Sequence, residues 1–201
     1  MKHALILLFA VFAGLSLHAQ TFKAGATAGF VTTQIDGDGY AGWNKVGVNG
    51  GLFVNTELSD KVTAEFQITY VQKGSVRPID PDNGFFDYYR IRTDYVEVPL
   101  LFRFKGRKFF YDVGPSLGAL VRDSEEDLNG ITPLPFHDWK RTELALHVGL
   151  GYKITDQFHT HVRYSQSVVP VSNDAYVTRW GLIGGSYHQM IVFALRYQFI
   201  N

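Results

Sequence analysis

Apolar and polar residues alternate with a period of two over most of this chain, and that pattern constrains its fold more than any other feature. From Phe22 onward the alternation runs through eight segments, at about residues 22–32, 46–58, 62–74, 93–105, 109–122, 139–154, 158–169 and 188–199. A period of two describes a strand with two unlike faces, and no sustained 3.6-residue period predicts a helix. Soluble strands are usually about five or six residues long. A tilted strand that crosses a bilayer needs about 9–11. The segments fit the second length.

Their faces differ in character. Val62, Ala64, Phe66, Ile68 and Tyr70 oppose Thr63, Glu65, Gln67 and Thr69. Val96, Val98, Leu100, Phe102 and Phe104 oppose Tyr95, Glu97, Pro99, Leu101 and Arg103. Tyr111, Val113, Pro115, Leu117 and Ala119 oppose Phe110, Asp112, Gly114, Ser116 and Gly118. Leu144, Leu146, Val148, Leu150 and Tyr152 oppose Glu143, Ala145, His147, Gly149 and Gly151. One face is continuously apolar, and the other carries charges, hydroxyls and glycines.

The connections alternate as well. Ser59-Asp60-Lys61, Gly106-Arg107-Lys108 and Thr155-Asp156-Gln157 read as tight hairpin turns. Between them lie longer stretches, 33–45, 75–92, 123–138 and 170–187, which hold the Gly, Pro and Asn breakers of loops. Short turns alternating with long loops describe an outer-membrane barrel, with short periplasmic turns and longer extracellular loops.

The first 19 residues read as a secretory signal. Lys2 and His3 precede the apolar run Ala4–Leu17, which ends at His18-Ala19-Gln20. The run is too short for a spanning helix, which needs about 20 residues. The expected organisation is therefore a signal peptide over 1–19, cut after Ala19, and one barrel domain over 20–201. An exported protein that enters a membrane without a spanning helix must do so with strands.

Composition agrees. The 201 residues carry 19 Lys+Arg, 19 Asp+Glu and no Cys. Zero net charge argues against a nucleic-acid-binding domain. The absence of Cys excludes a disulfide scaffold, a thiolate metal site and a Cys nucleophile. Aromatics reach 15% and glycines number 20, yet the mean hydropathy is only -0.04. Two opposite faces average to that value.

Eight antiparallel strands in up-and-down order fit two architectures. A secreted lipocalin-type barrel puts its apolar face inside around a ligand. A membrane barrel puts it outside against lipid. The second is favoured by the glycines on the polar face, Gly25, Gly29, Gly47, Gly51, Gly114, Gly118, Gly149 and Gly151. They make room in a lumen that side chains of an eight-stranded barrel just fill. Aromatics near the short turns, Phe102, Phe104, Phe109, Tyr111, Tyr152, Phe158, Tyr197 and Phe199, are placed for an interfacial girdle. The expected fold is all-β, an eight-stranded antiparallel up-and-down transmembrane β-barrel. Pro99 and Pro115 cannot donate to a ladder, so a bulge or a missing ladder bond is expected at each.

Several motifs together resemble the PorT-like outer-membrane barrels, a group often described as a porin family. They are Phe22-Lys23-Ala24-Gly25, Leu58-Ser59-Asp60-Lys61-Val62 followed by Tyr70-Val71-Gln72-Lys73-Gly74, and Tyr95-Val96-Glu97-Val98-Pro99-Leu100-Leu101. Val113-Gly114-Pro115-Ser116-Leu117-Gly118 and Gly149-Leu150-Gly151-Tyr152-Lys153 follow in order. Ala194-Leu195-Arg196-Tyr197-Gln198-Phe199 looks like a barrel-assembly signal, although Ile200-Asn201 extend beyond it. The resemblance implies a Gram-negative outer-membrane location and this fold. It implies no single activity and no pore.

The sharpest cluster of chemical groups is His159, His161, Arg163, Ser165 and Ser167 on one strand face, with His147 and Glu143 on the neighbouring segment. An interior hydrogen-bonded network is the favoured reading, in which Glu57, Glu65, Glu97 and Glu143 balance Arg103, Arg163 and Arg196. Two sharper readings compete with it. Ser165 or Ser167 with His161 would serve a lipid-modifying enzyme, and His159, His161 and His147 would serve a metal. The acidic run Asp123-Ser124-Glu125-Glu126-Asp127 reads as a solvated loop tip rather than a Ca²⁺ site. Phe85, Phe86, Tyr88, Tyr89, Trp139, Tyr176, Trp180 and Tyr187 are candidates for loop contacts or an upper aromatic belt.

The expected function is a non-enzymatic, structural or interaction barrel without an open pore, cofactor or metal. Its alternatives are the lipid-modifying enzyme, a narrow pore and a secretion accessory. Expected partners are outer-membrane lipid, the barrel-assembly machinery and an extracellular or secretion-system partner met through the loops. The expected state is a monomer, and nucleic acid is not expected to bind.

Overall fold

The computed structural model describes residues 21–39, 42–84, 86–131, 137–173 and 184–199. Its strands are β1 (Phe22–Asp36), β2 (Lys45–Glu57), β3 (Val62–Arg77), β4 (Tyr89–Lys105), β5 (Phe109–Asp127), β6 (Gly130–Ile131), β7 (Thr142–Lys153), β8 (Phe158–Ser167) and β9 (Tyr187–Gln198). All neighbours run antiparallel, in the order β4-β3-β2-β1-β9-β8-β7-β5, and a β4–β5 pairing closes the ring. Eight strands therefore form a closed barrel, and the two-residue β6 folds back along the outer end of β5, on the edge opposite β4. Among the described residues no helix is long and apolar enough to cross a membrane. Crossing falls to the strands, which leave no unpaired edge in lipid.

The three short turns close as their sequences predict. Leu58 N–H donates to Val62 O at 2.9 Å, Gly106 N–H to Phe109 O at 2.8 Å and Ile154 N–H to Phe158 O at 2.9 Å. The Thr155 hydroxyl adds a cap by accepting from Phe158 N–H.

The apolar face is outside. Phe66, Ile68, Leu100, Phe102, Val113, Leu117, Leu146, Val148 and Leu150 are all exposed. Glu65, Gln67, Glu97, Arg103, Asp112, Glu143, His147 and Arg163 are all buried inside. That arrangement suits lipid and removes the lipocalin-type alternative. Phe109 lies 5.1 Å from Tyr152, and Phe158 lies 4.9 Å from Tyr197, so the aromatics form a girdle beside the short turns.

The outer ends of the strands run further than the alternation suggested. β4 has 17 residues and β5 has 19, and both continue through stretches that read as loop. Above the bilayer the outward face meets water, so it turns polar. Tyr70, Gln72, Arg92 and Asp94 form a hydrogen-bonded group there. Apolar alternation then no longer marks a strand. The acidic run 123–127 is corrected accordingly: it is the end of β5, not a loop tip.

The β3–β4 ladder skips the pairs between Phe66↔Leu100 and Thr69↔Glu97, at Pro99. The β4–β5 ladder skips those between Pro99↔Ser116 and Phe102↔Val113, at Pro115. Each proline thus interrupts a ladder without shifting its register. The register shift lies higher, where Asp94 faces Arg122 but Tyr95 faces Leu120, leaving Val121 unpaired. One extra residue inverts the faces of a strand. Below the bulge the even residues Phe110 to Leu120 point inward, and above it Glu125 does.

Candidate functional site: the charged lumen

From the outer end downward, the lumen begins with an apolar cap. Val31, Ile35, Val71, Tyr89, Ile91, Tyr95, Leu120, Trp139, Val171, Met190 and Val192 pack together there. The segment carrying Val171 is pinned across the mouth: Lys140 N–H donates to Val171 O, and Val171 N–H to Ser186 O, both at 2.8 Å. Above the bulge, Glu125 accepts from Trp139 Nε1 at 3.2 Å and also bonds Tyr89 and His137.

Three of the aromatic residues expected to make loop contacts therefore have another place. Tyr89, Trp139 and Tyr187 are buried inside the outer mouth, because the strands and the 168–173 segment fold over it. Phe86 is exposed as expected. Phe85, Tyr176 and Trp180 lie outside the described residues.

Under the cap sits a first polar layer. Lys73 Nζ lies 2.8 Å from Glu143 Oε1 and also pairs with Glu97. Glu143 Oε2 lies 3.0 Å from His188 Nδ1, and His188 Nε2 lies 3.1 Å from Thr93 Oγ1. An acid, an imidazole and a hydroxyl in that order resemble a nucleophile with its base and orienter. Here Thr93 has no exposed surface. Lys73 also occupies the acid.

A second layer lies toward the short turns. Arg163 grips Asp112 with Nε at 3.1 Å and Nη2 at 3.2 Å, and its Nη1 donates to Gln67 Oε1. Glu65 receives Arg103 Nη1 at 2.9 Å and Arg196 Nη2 at 2.6 Å. These tethers join β3, β4, β5, β8 and β9 across the bore.

The histidine and serine cluster is brought to one interior, as its shared face requires, but not into a site. Ser165 lies four residues from His161 on one strand, and Ser167 lies six residues away. Four residues span about 13 Å. Neither ring nitrogen of His161 has a hydrogen-bond partner among the described residues. His147 faces Ser165 in register, while His161 faces Gly151, so the same separation parts the two histidines. His147 Nε2 instead lies 2.7 Å from Ser116 Oγ. Among the described residues no group of three His, Asp or Glu is arranged to hold a metal.

The charge balance expected from Glu57, Glu65, Glu97, Glu143 and three arginines needs revision in its members. Glu57 is at the exposed rim with Lys23 and Lys105. Lys73, Asp112 and His188 take part in its place. Lys73 and His188 lay at the edges of the alternating segments, where their facing was ambiguous.

The family model for the outer membrane protein beta-barrel domain matches residues 16–173. The chain belongs to this outer-membrane barrel family. One solved structure agrees in fold. Neisserial surface protein A is similar at 13% identity and a TM-score of 0.54, over 90% of this chain and all 100% of that one. Ail of Yersinia pestis, at 14% identity, covers 89% of this chain and 99% of its own with a TM-score of 0.48. No curated protein matches in sequence. This outer-membrane barrel is thus one whose lumen is crossed by ion pairs and capped on one end.

Proposed function

We propose that this outer-membrane barrel is non-conducting and non-enzymatic, and that it works as a structural or interaction protein through its outer connections. The observation that carries the reading is the crossing of the bore by tethers from non-adjacent strands. Thr93 on β4 meets His188 on β9, and Asp112 on β5 meets Arg163 on β8. Eight strands enclose a space that side chains fill, and buried charges held this way do not part cheaply. The outer ends supply contact surface. Ile79, Phe86, Leu128 and Ile131 are exposed there, at 49% to 70% of their full area. Apolar side chains exposed at the outer ends favour a protein partner.

We place the protein within the PorT-like group on its five ordered motifs. An accessory role in secretion is the second reading, and those motifs favour it. Reconstitution into planar bilayers tests the first. Flat current at 100 mV is the expected result, and stepwise conductance overturns it.

A further inference from the structure

The end of the barrel with the short turns is open, unlike the capped one. A cavity of about 230 Å³ enters the lumen there. Lys23, Lys105 and Lys153 stand at its rim, and Arg103 and His159 line it more deeply. The His159 ring is buried, and its Nε2 has no hydrogen-bond partner among the described residues. Arg103 Nε and Arg196 Nε and Nη1 are likewise buried without partners.

Charge is unbalanced at this end. The rim and the second polar layer together hold Lys23, Arg103, Lys105, Lys153, Arg163 and Arg196 against Glu57, Glu65, Asp112 and Asp156. Six cations thus face four carboxylates, with the histidines counted as neutral. Uncompensated buried charge is costly. Arg103 and Arg196 are partly relieved by the Phe110 and Phe53 rings, at 4.3 and 4.0 Å. Those ring faces cannot use the in-plane N–H groups that remain unpartnered.

We propose that this vestibule binds a phosphate group presented from the periplasmic side. A phosphomonoester carries about −1.5 to −2 charge at neutral pH and several strong acceptor oxygens. It therefore matches both the excess of two positive charges and the unpartnered Nε–H of Arg103, which lines the cavity. A planar carboxylate supplies half that charge. The phosphomonoester can belong to a soluble ligand or to an inner-leaflet lipid whose headgroup ends in one, and the site chemistry is the same for both.

Calorimetric titration of inorganic phosphate into the protein in zwitterionic micelles at low salt tests this. Saturable binding is expected in the wild type. It should weaken at least tenfold in the Lys105→Ala/Lys153→Ala protein and stay unchanged in Lys61→Ala, a turn lysine outside the cavity. Both rim lysines are partly exposed, and a thermal unfolding midpoint within a few degrees of wild type shows that the barrel is intact. Nanodiscs containing phosphatidic acid, whose headgroup is a phosphomonoester, and nanodiscs of phosphatidylcholine alone separate the sources. Phosphate that titrates equally in both marks a soluble ligand. Phosphate that is excluded only by phosphatidic acid marks a headgroup. No saturable binding in micelles, or equal loss in Lys61→Ala, overturns the proposal.

Discussion

Three times in this lumen a glycine, a ring and a cation stack in sequence. A Cβ on Gly25 would lie 2.2 Å from the Phe53 ring, one on Gly151 2.0 Å from Phe110, and one on Gly118 3.2 Å from Tyr95. Each ring then carries a cation on its face: Arg196 on Phe53, Arg103 on Phe110 and Lys73 on Tyr95. The glycines thus clear space for rings, and the rings support buried charge by cation–π attraction. Crowding on the glycine-bearing face could be read in the sequence, but not its chemistry. The spacing suggested room for charges directly, because pairing across strands is invisible in one strand's alternation. Gly151→Ala should destabilise the barrel by about 1–3 kcal/mol, since Phe110 is held by Arg103 and cannot yield freely. Urea unfolding in lipid vesicles measures the loss, and Phe110→Leu in the same background should recover part of it.

Strand β5 shows what a single residue does to an element. Its bulge at Val121 is the reason Glu125 faces inward to Trp139 and Glu126 faces Arg90 across the wall. Nothing in the local sequence announces it. Val121, Arg122 and Asp123 simply end the alternation, and an ended alternation reads as the end of a strand. The prolines were the reverse case, because their missing donors dictate a ladder gap wherever a strand contains them. Deleting Val121 should leave an unbulged strand in which Leu120 and Arg122 still face Tyr95 and Asp94, so Glu125 stays inward. Trp139 then keeps its carboxylate partner and its emission maximum, whereas Glu125→Ala removes that partner and should shift the emission to the red. A red shift on deletion of Val121 would show that the bulge residue itself holds the cap in place.

At the scale of the molecule, the position in the membrane was legible because it depends on faces averaged over many residues. Nine consecutive residues from Val96 to Phe104 alternate lipid and lumen, about the length a tilted strand needs. The interior was less legible, since which cation meets which carboxylate depends on register and closure. Cell fractionation checks the placement. The protein should remain with the outer membrane through high-salt washes and be released only by detergent. Release by salt alone contradicts an integral barrel.

The strands that form the wall are unequal, 19 residues in β5 against 10 in β8. At about 3.3 Å per residue, one side of the wall runs some 30 Å further along its strands than the other. The section is closed and round, yet the molecule has a front and a back. Among the described strands the outer ends of β4 and β5 reach furthest, and a partner that grips them can read the rotational orientation of the barrel in the membrane plane.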